Sequence, residues 1–280
     1  MTPSLPPWRR DHALWVEVFV ISNLAFLVLD IYLAHSVNAF QHWAEYIPLY
    51  FSMGAPLLLM AALLARYRGK TGLWILLGHV VGWSALVVGL AGVLFHLESA
   101  FFVERTLKSL TYAAPFAAPL AYAGLGLLLI LNRMVSARSK EWGQWVLLLA
   151  LGGFAGNFVL SLTDHAVNGF FRPAEWMPVV SSAFAIGFLS APFLAPVNRR
   201  YFEICAFVML AQAIVGLLGF GFHVAANLRG PSAHILQNFI DGAPPFAPLL
   251  LPNLMVLALI SLWSLDQASP EPMEAGRLST

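Results

Sequence analysis

The sequence predicts an all-α integral membrane protein, with eight transmembrane helices arranged as two tandem four-helix units in a parallel internal repeat. Three observations predict it. The composition is too apolar for a water-soluble surface. Apolar runs of spanning length alternate with connections that sort the basic residues to one side. The chain also matches itself at a nearly constant offset.

Of 280 residues, 59% are hydrophobic and only 10% are charged, and the mean hydropathy is +0.75. A soluble domain carries roughly 25% charged residues, so this chain lacks the charge to cover itself in water. A bilayer removes the problem, because apolar side chains then face outward into lipid. The lipid bilayer is therefore the first expected partner, with other membrane subunits a further option. The net charge of +1 gives no nucleic acid or other polyanion a reason to bind. Cys205 is the single cysteine. It excludes an intramolecular disulfide and any cysteine-based zinc or iron–sulfur centre, and reads as a small buried apolar residue.

Apolar runs occur at 14–35, 47–66, 72–96, 112–132, 143–164, 177–197, 201–223 and 244–265. Each approaches the ~20 residues that cross ~30 Å of hydrocarbon. The first follows Arg9 and Arg10 but is too long for a signal-peptide core and lacks a small-x-small cleavage site, so it is expected to be a retained helix. If every run crosses once, Arg9, Arg10, Arg66, Arg68, Lys70, Arg133, Arg138, Lys140, Arg199, Arg200 and Arg277 share one side. Only Arg105, Lys108, Arg172 and Arg229 face the other. The positive-inside bias then makes both termini cytoplasmic, in a bacterial inner or plasma membrane. Segment 1–13 is the cytoplasmic N-terminus, 14–134 and 135–266 are the two units, and the polar, proline-bearing segment 267–280 is expected to be a disordered cytoplasmic tail.

The self-match is detailed. His35, Val37, Asn38, Phe40, Ala44, Glu45 and Pro48 recur, 130 residues on, as His165, Val167, Asn168, Phe170, Ala174, Glu175 and Pro178. Gly89, Leu90, Gly92, Phe95 and His96 recur as Gly216, Leu217, Gly219, Phe222 and His223. Ala114-Pro115 and Ala118-Pro119-Leu120 recur as Ala243-Pro244 and Ala247-Pro248-Leu249. An Asn-x6-Asp pattern, Asn23 to Asp30 and Asn157 to Asp164, recurs in a shifted register. Two units of four crossings each keep the same orientation, which relates them by an axis along the membrane normal.

Under this topology His35, His96, His165 and His223 all sit at outward helix ends. Each unit thus offers two imidazoles and one carboxylate, Glu45 or Glu175. That donor set leaves open positions on iron, copper or zinc. Asn38 and Asn168 are placed to support the ligands by hydrogen bonds, and Asp30 and Asp164 are ionisable groups in an apolar span, costly unless paired or hydrated. Haem b is the alternative cofactor. Two histidines per unit suffice as axial ligands, and the Gly89/Gly92 and Gly216/Gly219 faces admit either a flat macrocycle or a neighbouring helix. A purely structural reading uses the same residues: Glu-x-x-Pro starts a helix, and outer histidines and tryptophans line an interface. Glu17 and Glu203, at helix starts, need no more than a dipole contact.

There is no Walker A sequence, dinucleotide glycine fingerprint, Gly-x-Ser-x-Gly or His-Glu-x-x-His, so nucleotide-driven transport and soluble-type hydrolysis have no support. The expected function is an outward metal or haem site used in redox chemistry or metal handling. The rival expectations are a secondary transporter with a cavity between the repeats, and a structural subunit of a larger membrane complex.

Overall fold

The computed structural model describes residues 11–268, so the readings made of Arg9, Arg10, Arg277 and the tail beyond Ala268 lie outside the described residues. Every regular element among the described residues is helical. The α-helices are α1 His12–Ser36, α2 Tyr46–Tyr67, α3 Thr71–Glu98, α4 Phe101–Glu104, α5 Leu107–Thr111, α6 Leu120–Met134, α7 Lys140–Val167, α8 Trp176–Leu194, α9 Arg199–Leu228, α10 Ile235–Asp241 and α11 Leu250–Ala268. Among the described residues, seven helices are long and apolar enough to cross a membrane: α1, α2, α3, α7, α8, α9 and α11. The chain therefore has the helices of a multi-pass membrane protein.

The fourth run departs from expectation. It gives a 15-residue helix, α6, which starts at Leu120 rather than near residue 112. Proline lacks the N–H that a helix interior needs and fits best in the first turn. Pro115 and Pro119 therefore hold the preceding residues in turns, and Pro119 becomes the N-cap. The same rule sets other boundaries. Pro48, Pro178 and Pro252 fall in the first turns of α2, α8 and α11. The residue before a proline avoids the α region, and Ala195, preceding Pro196, is extended and ends α8. Side-chain caps start three of the long helices: Asp11 accepts from Leu14 N at 3.0 Å, Ser139 from Trp142 N at 3.2 Å and Asn198 from Tyr201 N at 3.0 Å.

The helices form two rings. In the first, α1 packs on α2, α2 on α3, α3 on α6 and α6 back on α1. In the second, α7 packs on α8, α8 on α9, α9 on α11 and α11 back on α7. The rings meet where α6 touches α7 and where α11 touches α1. The short helices cross over: α5 reaches α7 and α10 reaches α1. At the α1–α11 seam Asn23 and Asn253 hydrogen-bond each other reciprocally through their side chains.

One end of the bundle gathers the starts of α1, α3, α7 and α9 with the ends of α2, α6 and α11. Asp11 pairs with Arg66 at 2.7 Å. His12 packs edge-on to Trp263 at 4.3 Å between ring centroids and lies 6.0 Å from Trp142. Ser261 donates to the Gly143 carbonyl at 2.8 Å, and Arg199 lies 3.8 Å from Asp266. Glu17 corrects the expectation of a simple dipole contact. It is fully buried and takes both amino groups of Arg133 at 2.7 Å each. The guanidinium also donates to the Trp74 carbonyl at 3.2 Å and lies 3.9 Å from the Trp74 ring centroid. Glu203 stays exposed, 3.8 Å from Arg199.

Glycines set how closely α3 approaches α6. A Cβ on Gly89 would stand 2.5 Å from the Ala123 nitrogen and 2.9 Å from the Pro119 carbonyl oxygen, and one on Gly92 would meet the Pro119 ring. Gly216 and Gly219 meet Pro248 and its neighbours in the same way. Backbone atoms cannot yield as a flexible side chain can. Gly89→Ala is therefore expected to destabilise by about 1–3 kcal/mol through overpacking. Gly54→Ala, on α2 with nothing within 4 Å, should gain up to ~1 kcal/mol from helix propensity. Thermal unfolding of both variants in detergent checks the opposite signs.

Candidate metal centre

The first cluster is assembled from the ends of α1 and α3 and the connection into α2. His35 lies in the last turn of α1. The chain then reverses: Phe40 N donates to the His35 carbonyl at 3.1 Å, with Ala39 and Phe40 left-handed at φ 55° and 53°. Such values cost an L-residue roughly 1–2 kcal/mol. The turn lays the Phe40 ring against His35, 5.8 Å between centroids, and against Tyr46 at 5.0 Å. A single 3-10 turn, Trp43–Glu45, follows and delivers Glu45 to the N-cap position of α2.

Glu45 does not cap its own helix. Its Oε1 accepts from Asn38 Nδ2 at 2.6 Å, and its Oε2 lies 3.8 Å from His35 Nδ1. Oε2 is buried and has no hydrogen-bond partner. The His35 ring faces His96 edge-on, 6.2 Å between centroids at 81°. His96 Nδ1 lies 3.0 Å from the Pro115 carbonyl oxygen. A carbonyl only accepts, so Nδ1 carries the proton, and a neutral ring keeps its lone pair on Nε2. Ser99 accepts from Ala114 N at 2.9 Å and fixes the same lead-in to α6.

The second cluster has the same plan. His165 in the last turn of α7 is followed by left-handed Gly169 and Phe170, at φ 68° and 52°. Phe170 stacks on Trp176 at 4.0 Å and lies 6.1 Å from His165. His165 faces His223 at 6.4 Å and 84°. His223 Nδ1 lies 2.7 Å from the Pro244 carbonyl oxygen. Asn227 takes the place of Ser99, bonding both sides of Ala243 at 2.8 and 2.9 Å. Glu175 Oε2 is buried without a hydrogen-bond partner, as in the first cluster.

The four histidines thus come together in two pairs. Asn38 meets Glu45, whereas Asn168 has no such bond to Glu175 among the described residues. Asp30 and Asp164 do not join the histidines. Both are half-buried, and neither carboxylate has a hydrogen-bond or ion-pair partner among the described residues. The proline carbonyls, Ser99, Asn227 and the aromatic lids Phe40 and Phe170 were not expected as parts of the site. The repeated Ala-Pro and Phe positions were the available signal for all but Ser99 and Asn227.

Among the described residues no three His, Cys, Asp or Glu side chains stand at metal-ligand spacing. Two donors on a tetrahedral ion with bonds of ~2.0–2.1 Å lie ~3.3 Å apart, against 3.8 Å between His35 and Glu45. The two imidazoles of that cluster stand 6.2 Å apart between ring centroids. The haem fit is poor, because Pro119 and Ala123 fill the Gly89 and Gly92 face. Two shallow apolar grooves, of about 490 and 540 Å³, flank α8 and share Trp176, Val180 and Phe184; neither contains a histidine or carboxylate.

Comparison of the chain with protein-family models, with curated proteins and with solved structures finds no match. The chemistry of the two clusters is therefore what bears on function.

Proposed function

We propose that the chain is an eight-span membrane protein that binds a divalent transition-metal ion at the outward end of each of two repeated units. The observation that carries this reading is the anchoring of His96 and His223 to proline carbonyls, at 3.0 and 2.7 Å. That bond fixes the tautomer and presents Nε2 as a donor atom, the usual preparation of a metal-binding imidazole. A second imidazole and an orphaned carboxylate oxygen belong to each cluster.

The eighth span is supported by the reach of α6. Its lead-in meets α3 at His96, and Arg133 near its end meets α3 at Trp74, so segment 115–134 runs beside nearly the whole of a spanning helix. The repeat is supported by the seams, since α6 on α7 and α11 on α1 exchange under a two-fold axis, as do the crossings of α5 and α10. Orientation rests on the basic connections, which put the termini in the cytoplasm and the clusters outside it. The donor set suits iron, copper or zinc. Iron or copper would support electron transfer, and zinc would support metal handling. Two nitrogens and one oxygen leave positions for water or a substrate. The test is the metal content of the His96→Ala/His223→Ala variant.

A second reading, cation transport, is favoured by Asp30 and Asp164, two unpaired carboxylates within apolar helices. Such groups persist where they face water or an ion path. Cysteines placed at these positions should react with a water-soluble maleimide in membranes. Failure of both to react in any state would remove the reading.

A further inference from the structure

We infer that the two clusters are unequal metal sites: the first unit holds a preorganised site that fills first, and the second holds a weaker one. This inference rests on the clusters being metal sites at all. The backbone of the two turns is the same, with paired left-handed residues at Ala39 and Phe40 and at Gly169 and Phe170. The side chains differ. In the first unit Glu45 is held by Asn38 at 2.6 Å, which leaves Oε2 directed at the His35 ring, 3.8 Å away. In the second unit neither an Asn168–Glu175 hydrogen bond nor a His165–Glu175 ion pair forms among the described residues. The carboxylate must be oriented when the ion arrives.

Charge acts in the same direction. Position 172 is arginine where the first unit has His42, and its guanidinium lies over the Phe171 ring at 5.3 Å. A permanent cation three residues from Glu175 opposes an incoming cation. His42 instead accepts a hydrogen bond from Ala44 N at 3.3 Å, which only an uncharged ring nitrogen does. Loss of a hydrogen bond that orients a metal ligand costs 10–100-fold in metal affinity. The first site is therefore expected to be about 10–100-fold tighter.

The experiment is a calorimetric titration of zinc ion into the full chain, stripped of metal in detergent. Helix content and gel-filtration elution confirm that each variant remains folded. The expected wild-type isotherm has two steps. His96→Ala and Asn38→Ala should abolish or weaken the tight step and spare the weak one. Asn168→Ala should change neither, and Arg172→His should tighten the weak step. Two equal sites, or loss of the tight step in His223→Ala, would overturn the inequality and leave the metal reading standing. Absence of zinc binding by folded wild type would overturn both.

Discussion

Replacing Glu17 with alanine is expected to destabilise the protein by about 3–5 kcal/mol, the cost of breaking a buried ion pair from one side. Both side chains are fully buried, and the Arg133 guanidinium is bonded twice to Glu17, once to the Trp74 carbonyl, and lies over the Trp74 ring. Without Glu17 the cation stays in an apolar interior with its largest partner gone. The guanidinium packs directly against Gly78, where an added Cβ would collide with it. Removing both charges has a different outcome. Glu17→Leu/Arg133→Met replaces the pair by apolar volume, and such exchanges are often neutral or stabilising. Thermal unfolding in detergent of the single and double variants gives the comparison. A double variant as unstable as Glu17→Ala would show that packing, not charge, holds the helices here.

The second large effect is on metal retention. His96→Ala/His223→Ala removes one imidazole from each cluster and frees the proline carbonyls that orient them. A site of two nitrogens and one oxygen then keeps one nitrogen, and bound metal should fall to background by elemental analysis. His234→Ala is the control: the residue is exposed, before α10, and belongs to neither cluster. Equal metal content in all three proteins would place any bound metal elsewhere.

Much of this architecture is local and therefore legible in the sequence. Hydropathy marks the long helices because each is a continuous apolar run, and proline rules mark where α2, α8 and α11 begin. The same rules shorten α6, but length counting alone cannot see that Pro115 and Pro119 convert a helical run into turns. The histidine pairs were legible because the sequence matches itself around them, and such a match exposes residues that would otherwise be hidden among interfacial ones. What stayed hidden depends on contacts across long sequence separations. Nothing near Glu17 announces Arg133, more than a hundred residues away, and a carboxylate at a helix start suggested no more than a dipole contact. The bond from His96 to Pro115 joins a side chain to a backbone atom, so the repeated Ala-Pro marks the position without announcing the contact. Asn38 and Asn168 read alike in sequence, and their different partners emerge only from side-chain packing.

The measurement that bears most directly on the metal reading is elemental analysis of the wild-type protein purified gently in detergent, with absorption spectra before and after reduction by dithionite. Stoichiometric iron, copper or zinc without a Soret band is the result expected of the histidine–glutamate clusters. A Soret band that shifts on reduction would make the histidines haem ligands instead. A folded protein that holds no metal, and takes up none when offered all three ions, would contradict the proposed function outright.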